Sequence, residues 1–284
     1  MQNQNPLKQT TMKTMTTKIN KLAAILLISA GILSSCDKLW FNDNSDVAVD
    51  SEINIRLVET FDVSPRTLQL HTSTTRQYSS GSNPIVFELC RKFPDDINVS
   101  FKGVALTGMT GDIGPARAII DLGVLNNGTY RLNLNNGNVK RTGELIVSSD
   151  SYKVKFSNNS TFRFTNVPLN RIPEQTIWGT VGYHKQETST LVQAFITDLM
   201  NVGAVKKSFN PGIYNEFEID KDGNIVQPGK DSGYWFAQSF IFHYSGDIAK
   251  IEQLVKRYAH DYGIEYLYIN VHTDKGERFL SWMY

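Results

Sequence analysis

From Ser51 to about Thr165 the apolar side chains recur at every second position, clearest in Ile53/Ile55/Leu57, Ile85/Phe87/Leu89, Ile97/Val99/Phe101, Tyr130/Leu132/Leu134 and Tyr152/Val154/Phe156. A period of two sends alternate side chains to opposite faces of an extended chain, so each run predicts a half-buried strand. No helical stripe interrupts them. Between the runs stand Ser80-Gly81-Ser82-Asn83-Pro84, Asn126-Asn127-Gly128 and Asn135-Asn136-Gly137, residue types that tolerate the backbone angles of tight turns. Seven to nine short strands at this spacing predict an all-β sandwich over residues 51–166.

Pro168 and Pro173 punctuate a linker at 167–176, and beyond it the periodicity changes. Residues 177–284 alternate strands with helices. Ile177 to His184 reads as a strand. Thr188 to Val202 reads as a helix with Leu191, Ala194, Phe195, Leu199 and Val202 on one face, closed by Gly203. Ile213 to Ile219 and Ile225-Val226 are strand material around a turn at Asp222-Gly223. Tyr234 to Tyr244 is a further strand, and Asp247 caps a helix buried through Ile248, Ile251, Leu254 or Val255, Tyr258 and Tyr262. Ile264 to His272 is the last. The order βαββαβ predicts a ferredoxin-like α+β domain, with strand order fourth, first, third, second and helices on one face only. An internal echo supports it, since His184 and His243 each precede the start of a helix by four residues.

That phase sends Ile177, Val181, Phe240, Phe242, Leu267, Ile269 and Val271 toward the helices. The other face then carries Trp178, Thr180 and His184, then Ala237, Ser239, Ile241 and His243, then Tyr266, Tyr268, Asn270 and His272. His243 and His272 are expected to flank Trp178. Three uses of this face stay open. It packs against the sandwich or a second copy, because a large aromatic patch seldom stays bare. Alternatively it is a ligand platform made by Trp178, His243, Tyr266, Tyr268, Asn270 and His272. The third use is catalysis or metal binding by His243 and His272, which needs a third ligand that no carboxylate obviously supplies.

The first 35 residues add an address. Lys8, Lys13, Lys18 and Lys21, with no acidic residue among them, precede the apolar run Leu22 to Leu33, which gives way to Ser34-Ser35-Cys36. The run is too short for a permanent membrane span and reads as a cleaved signal. Leu33-Ser34-Ser35-Cys36 resembles the lipobox of Gram-negative lipoproteins, and the resemblance implies that Cys36 is acylated and begins the mature chain. A soluble secreted product, with Cys36 a bystander, is the alternative. Residues 36–50 then form a tether rich in Asp and Asn, whose Leu39-Trp40-Phe41 cluster sits either at lipid headgroups or against the first domain. With Cys36 acylated, Cys90 has no partner in the chain and no disulfide is expected.

Removal of 35 residues from 284 leaves 249, enough for two domains. Loss of the four signal lysines from 29 basic residues leaves 25 against 28 acidic ones, so nothing electrostatic speaks for nucleic acid. Leu125-Asn126-Asn127-Gly128-Thr129-Tyr130 resembles the tyrosine corner of immunoglobulin and fibronectin type III folds, which implies that the Tyr130 hydroxyl fixes the entry to a late strand. Glu218 to Gly229 follows part of a calcium-loop pattern, but Gly229 stands where the closing Glu is needed. There is no nucleophile elbow, zinc-protease helix or phosphate-binding glycine loop. No cofactor and no metal are expected.

The whole resembles two-domain envelope lipoproteins of Gram-negative anaerobes. It implies a membrane-anchored protein facing periplasm or exterior, a non-enzymatic binding or assembly module whose partner is an envelope protein, a second copy or a glycan. An extracytoplasmic enzyme of hydrolase type, or a carbohydrate or small-ligand binder, using the open face of the C-terminal sheet is the alternative.

Overall fold

The computed structural model describes residues 36–37, 47–61, 65–92, 95–108, 111–156, 161–226 and 234–284. The signal peptide expected at 1–35 and the Leu39-Trp40-Phe41 cluster lie outside them. Residues up to 164 supply β1 (Cys36–Asp37), β2 (Ile53–Glu59), β3 (Leu68–Tyr78), β4 (Ile85–Lys92), β5 (Asp96–Val104), β6 (Gly114–Asp121), β7 (Gly128–Asn136), β8 (Val139–Val147), β9 (Ser151–Lys155) and β10 (Phe162–Phe164). The remainder supplies β11 (Leu169–Asn170), β12 (Thr176–Tyr183), α1 (Ser189–Asn201), β13 (Gly212–Ile213), β14 (Glu218–Ile219), β15 (Phe236–His243), α2 (Ile248–Tyr262), β16 (Tyr268–Thr273) and β17 (Arg278–Leu280). The fold is mostly β, with several sheets and few helices. Among the described residues no helix is long and apolar enough to cross a membrane.

Two sheets share one core. The order β10-β2-β3-β6 makes one, and β1-β4-β5-β7-β8-β9-β11-β13-β14 the other. Alternation is the cause: Ile53, Ile55 and Leu57 from β2 meet Ile97 and Val99 from β5 and Leu132 and Leu134 from β7, all fully buried. Each such side chain contributes about 1.5–3 kcal/mol by leaving water. At the entry to β7 the Tyr130 hydroxyl donates to the Asn126 carbonyl at 3.0 Å, the contact expected of that hexapeptide.

The third sheet has the order β15-β12-β16-β17, antiparallel throughout. Helices α1 and α2 cover one face, where Val192, Phe195 and Leu199 meet Ile251, Val255 and Tyr258 over Ile177, Val181, Phe240, Ile269 and Val271. The Asp247 carboxylate accepts from the Ala249 N–H at 3.0 Å and starts α2, and Gly263, at φ +70°, ends it. On α1 the buried stripe is Val192, Phe195, Ile196 and Leu199, a small rotation from expectation that leaves Ala194 exposed.

Two expectations are corrected. The strand order is third, first, fourth, with β17 added beside the fourth, so the full ferredoxin-like order does not form. Ile213–Ile219 is not one strand but a tight hairpin: β13 pairs with β14, the Tyr214 N–H reaches the Phe217 carbonyl at 2.8 Å, and β13 joins β11 at the edge of the large sheet. Asn215-Glu216 breaks the apolar run, and Phe209, Tyr214, Phe217 and Ile219 find their burial elsewhere, as described below. The second correction concerns Cys90, which is disulfide-bonded. The chain has one other cysteine, Cys36, and strand register sets it directly opposite.

Candidate functional site

The face of the third sheet turned away from the helices divides into a sealed inner half and an exposed outer half. Trp178 lies in the inner half, opposite Ile241 on one neighbour and His272 on the other. Its indole is only 4 % exposed. Phe61, arriving from the end of β2, meets it edge-on at 5.8 Å, Phe217 lies at 5.9 Å, and the His272 imidazole stacks on it at 5.6 Å. Phe209, Tyr214, Ile219 and Ile172 complete this small core. The packing use of the face is therefore realised here, by Phe61 and by the hairpin that leaves the third sheet.

His272 has a measurable consequence. Burial, and secondarily the Arg278 charge, lower its pKa to about 4. A histidine held neutral in the fold but titrating at 6.5 when unfolded costs stability as pH falls through that window, because the unfolded chain gains a proton that the folded one refuses. About 2 kcal/mol should be lost between pH 6.5 and 4, allowing for the ring's partial contact with solvent. Urea melts across that range check it: His272→Gln should flatten the pH dependence relative to the parent, and identical slopes would contradict it.

His243 does not flank Trp178, as expected, but pairs with Thr176. The strand begins one residue earlier than its apolar pattern indicates, because the Thr176 N–H is held by Asp274 Oδ1 at 3.2 Å. The main chain of His243 exchanges two hydrogen bonds with Val205, at 2.9 and 2.8 Å. The six expected ligand residues are thus separated: Trp178, His243 and His272 belong to the inner half and Tyr268 and Asn270 to the outer, while Tyr266 is not in the expected strand, because residues 264–266 turn after α2, with the Tyr266 N–H on the Gly263 carbonyl, and β16 begins only at Tyr268.

In the outer half an aromatic row crosses the sheet. The rings of His184 and Tyr234 are 4.7 Å apart, those of Tyr234 and Tyr268 5.1 Å, and the Trp282 indole N–H donates to the Tyr268 hydroxyl at 3.1 Å. Gly182 makes the row fit. A Cβ there would come within 2.7 Å of the Tyr234 ring. Under the row Thr180 and Ser239 bring their hydroxyls to 3.3 Å, and Asn270 buries its Oδ1 without a hydrogen-bond partner. Trp282 is 54 % exposed, and Trp235, next to Tyr234 in the chain, 83 %. Burial, then neighbouring Tyr268, raises the Tyr234 phenol pKa. Tyr234 was expected within a strand from 234 to 244 but stands two residues before β15, and Trp282 lies past the end of β17, so strand phase assigns neither to this face.

Comparison with family models, curated proteins and solved structures returns no match. Geometry alone carries the reading. A second feature lies where the first two sheets meet the third, a cleft of about 820 Å³ whose lining includes Phe61, Arg66, Leu125, Arg171, Ile172, Gln175 and Asp274. Three of its charged residues, Arg66, Arg171 and Asp274, belong to one network with Glu59, while Glu174 and Lys275 also line it. Glu59, 2 % exposed, accepts from Arg171 Nε and the Tyr152 hydroxyl at 2.8 and 2.9 Å, with Arg171 Nη2 at 2.8 Å. Arg66 lies 3.6 Å from Glu59 and donates to the Ile172 carbonyl and to Asp274. That arrangement is a clamp between the sheets. Among the described residues no group of three His, Cys, Asp or Glu side chains is placed to hold a metal ion.

Proposed function

We propose that the chain is an exported cell-envelope protein, held to a membrane by lipid on Cys36, that works as a non-enzymatic binding module. In this reading an immunoglobulin-like sandwich at 51–166 carries an α+β domain at 177–284 whose topology is related to the ferredoxin-like fold, and the outer half of the third sheet is the working surface. One observation carries it: the inner half of that face is closed by Phe61 and Phe217 over Trp178, while Trp282, bonded to Tyr268 in the outer half, and Trp235, next in the chain to Tyr234, stand in solvent. An aromatic surface left open beside one that is sealed is what a recognition patch requires.

The leader supports export, and the Tyr130 contact with Asn126 supports the sandwich class. The anchored form and the bond described above exclude each other, since a Cys36 sulfur that carries lipid as a thioether cannot also be bonded to Cys90. Both belong outside the reducing cytosol. The second favours a soluble exported form cut before Cys36. Cell fractionation with intact mass measurement separates them. The expected product is membrane-bound, released only by detergent, and begins at an acylated Cys36. A soluble product with the Cys36 sulfur bonded to Cys90 would overturn the anchor, and an uncleaved cytosolic chain would overturn export.

A further inference from the structure

The cleft where the first two sheets meet the third shares no lining residue with the aromatic row, and its volume of about 820 Å³ is that of a small-molecule site. We propose that it binds a zwitterion of the amino acid class, an apolar amino acid or short peptide with both ends free, its carboxylate on Lys275 and its ammonium group on Glu174.

Three features select this chemistry. Glu174 and Lys275 line the cleft with opposite charges on neighbouring segments, since the Asp274 N–H donates to the Thr176 carbonyl at 3.0 Å. Yet the two do not pair, and among the described residues neither charged group has a hydrogen bond or an ion pair. Unlike charges held in one cleft without meeting are satisfied together by a ligand that carries both. The second feature is Gln175, which stands at φ +59°, the one residue other than glycine in the left-handed region among those described. Its main chain is fixed there from both sides: its carbonyl accepts from the Tyr244 N–H at 2.7 Å, and Asp274 Oδ1 holds the next N–H, of Thr176, at 3.2 Å. Strain maintained in this way collects at binding sites, and here it places a carboxamide with no hydrogen bond of its own on the cleft wall beside Glu174. Third, the cations Arg66, Arg171 and Lys275 are balanced by Asp274, Glu174 and the Glu59 that Arg171 holds, so a lone anion or cation gains nothing from the field. Phe61, Leu125 and Val124, the last 44 % exposed, give the lining an apolar part that suits an aliphatic or aromatic side chain.

Calorimetric titration of the mature protein at low ionic strength with leucine, phenylalanine and the tripeptides Leu-Gly-Gly and Phe-Gly-Gly tests it. At least one should bind saturably, and acetylation of its amine or amidation of its carboxylate should each weaken binding about three- to fivefold, the worth of one partly exposed ion pair. Glu174→Gln should abolish the effect of acetylation and keep that of amidation, and Lys275→Met should do the converse. Both residues are exposed, so melting should not change in either variant. No saturation by any of the four up to about 10 mM, capped forms that bind as well as free ones, or capping effects that survive both substitutions overturn the inference. Binding that is lost in Trp282→Ala and kept in the two cleft variants places the ligand on the outer face and overturns it as well.

Discussion

Arg171→Leu should destabilise the protein by about 3–5 kcal/mol, the usual cost of removing one partner from a buried ion pair. Glu59 sits at the end of β2 with 2 % exposure, and three groups hold it: Arg171 through Nε and Nη2, the Tyr152 hydroxyl, and Arg66 at longer range. Leucine fills part of the volume and leaves the carboxylate facing Tyr152 and a distant guanidinium. Burial and the adjacent Glu59 already push the Tyr152 phenol pKa far up, so it remains a hydrogen-bond donor and cannot neutralise the charge. Arg171 also donates to the Ser148 carbonyl at 3.1 Å, and that bond goes too. The double substitution of Glu59→Gln with Arg171→Leu should recover part of the loss, because it removes the stranded charge. Urea unfolding measures both; a loss below about 1 kcal/mol for the single variant would mean that the clamp is not a stability element.

The second large effect is expected at Gly179, in the central strand β12. A Cβ there would stand 1.9 Å from the Asn270 carbonyl oxygen and 2.9 Å from the Phe240 ring. The first obstacle is backbone of the paired strand β16, which cannot rotate away without breaking the ladder that joins β12 to it. Gly179→Ala should therefore cost about 3 kcal/mol or more, the upper range of overpacking effects, and loosen the third sheet as a whole. Gly182→Ala makes the contrast. The three atoms nearest its Cβ all belong to the side chain of Tyr234, which can swing outward, so the fold should survive while the aromatic row is broken. Near-ultraviolet circular dichroism and melting of the two variants check this, and equal stability of Gly179→Ala and the parent would refute it.

Much of this architecture is written in local pattern. Period-two alternation marked the strands of the first two sheets because each has one buried face; it holds at every named position of the first four runs, while in the fifth Val154 and Phe156 are half-buried and Phe156 lies past the end of β9. The same logic gave the phase of the third sheet, hence the set of residues on its open face, and Asp247 and Gly263 bounded α2 as their chemistry requires. What pattern could not give is which distant segment covers which surface. Phe61 and Trp178 are 117 positions apart in sequence, and no periodicity links them. The hairpin at 212–219 has the apolar content of a strand, and only its tertiary choice of Trp178 over the edge of β15 removes it from the third sheet. The clamp of Glu59, Arg66, Arg171 and Asp274 was equally hidden, because charged residues in sequence read as solvated unless burial is known. In the candidate site, Tyr268 and Asn270 were legible from strand phase; Tyr266 was not, because residues 264–266 form a turn before β16, nor were Tyr234 and Trp282, which lie just before β15 and just after β17.

The division of the open face into a sealed and an exposed half is the claim on which the functional reading stands. Hydroxyl-radical footprinting of the purified protein, read by mass spectrometry at each aromatic residue, tests it directly. Trp235, Trp282 and Tyr266 should oxidise rapidly, and Trp178, Tyr214 and Phe209 should stay protected until the protein unfolds. Oxidation of Trp178 at the rate of Trp282 would show a face open along its whole length and would contradict the account.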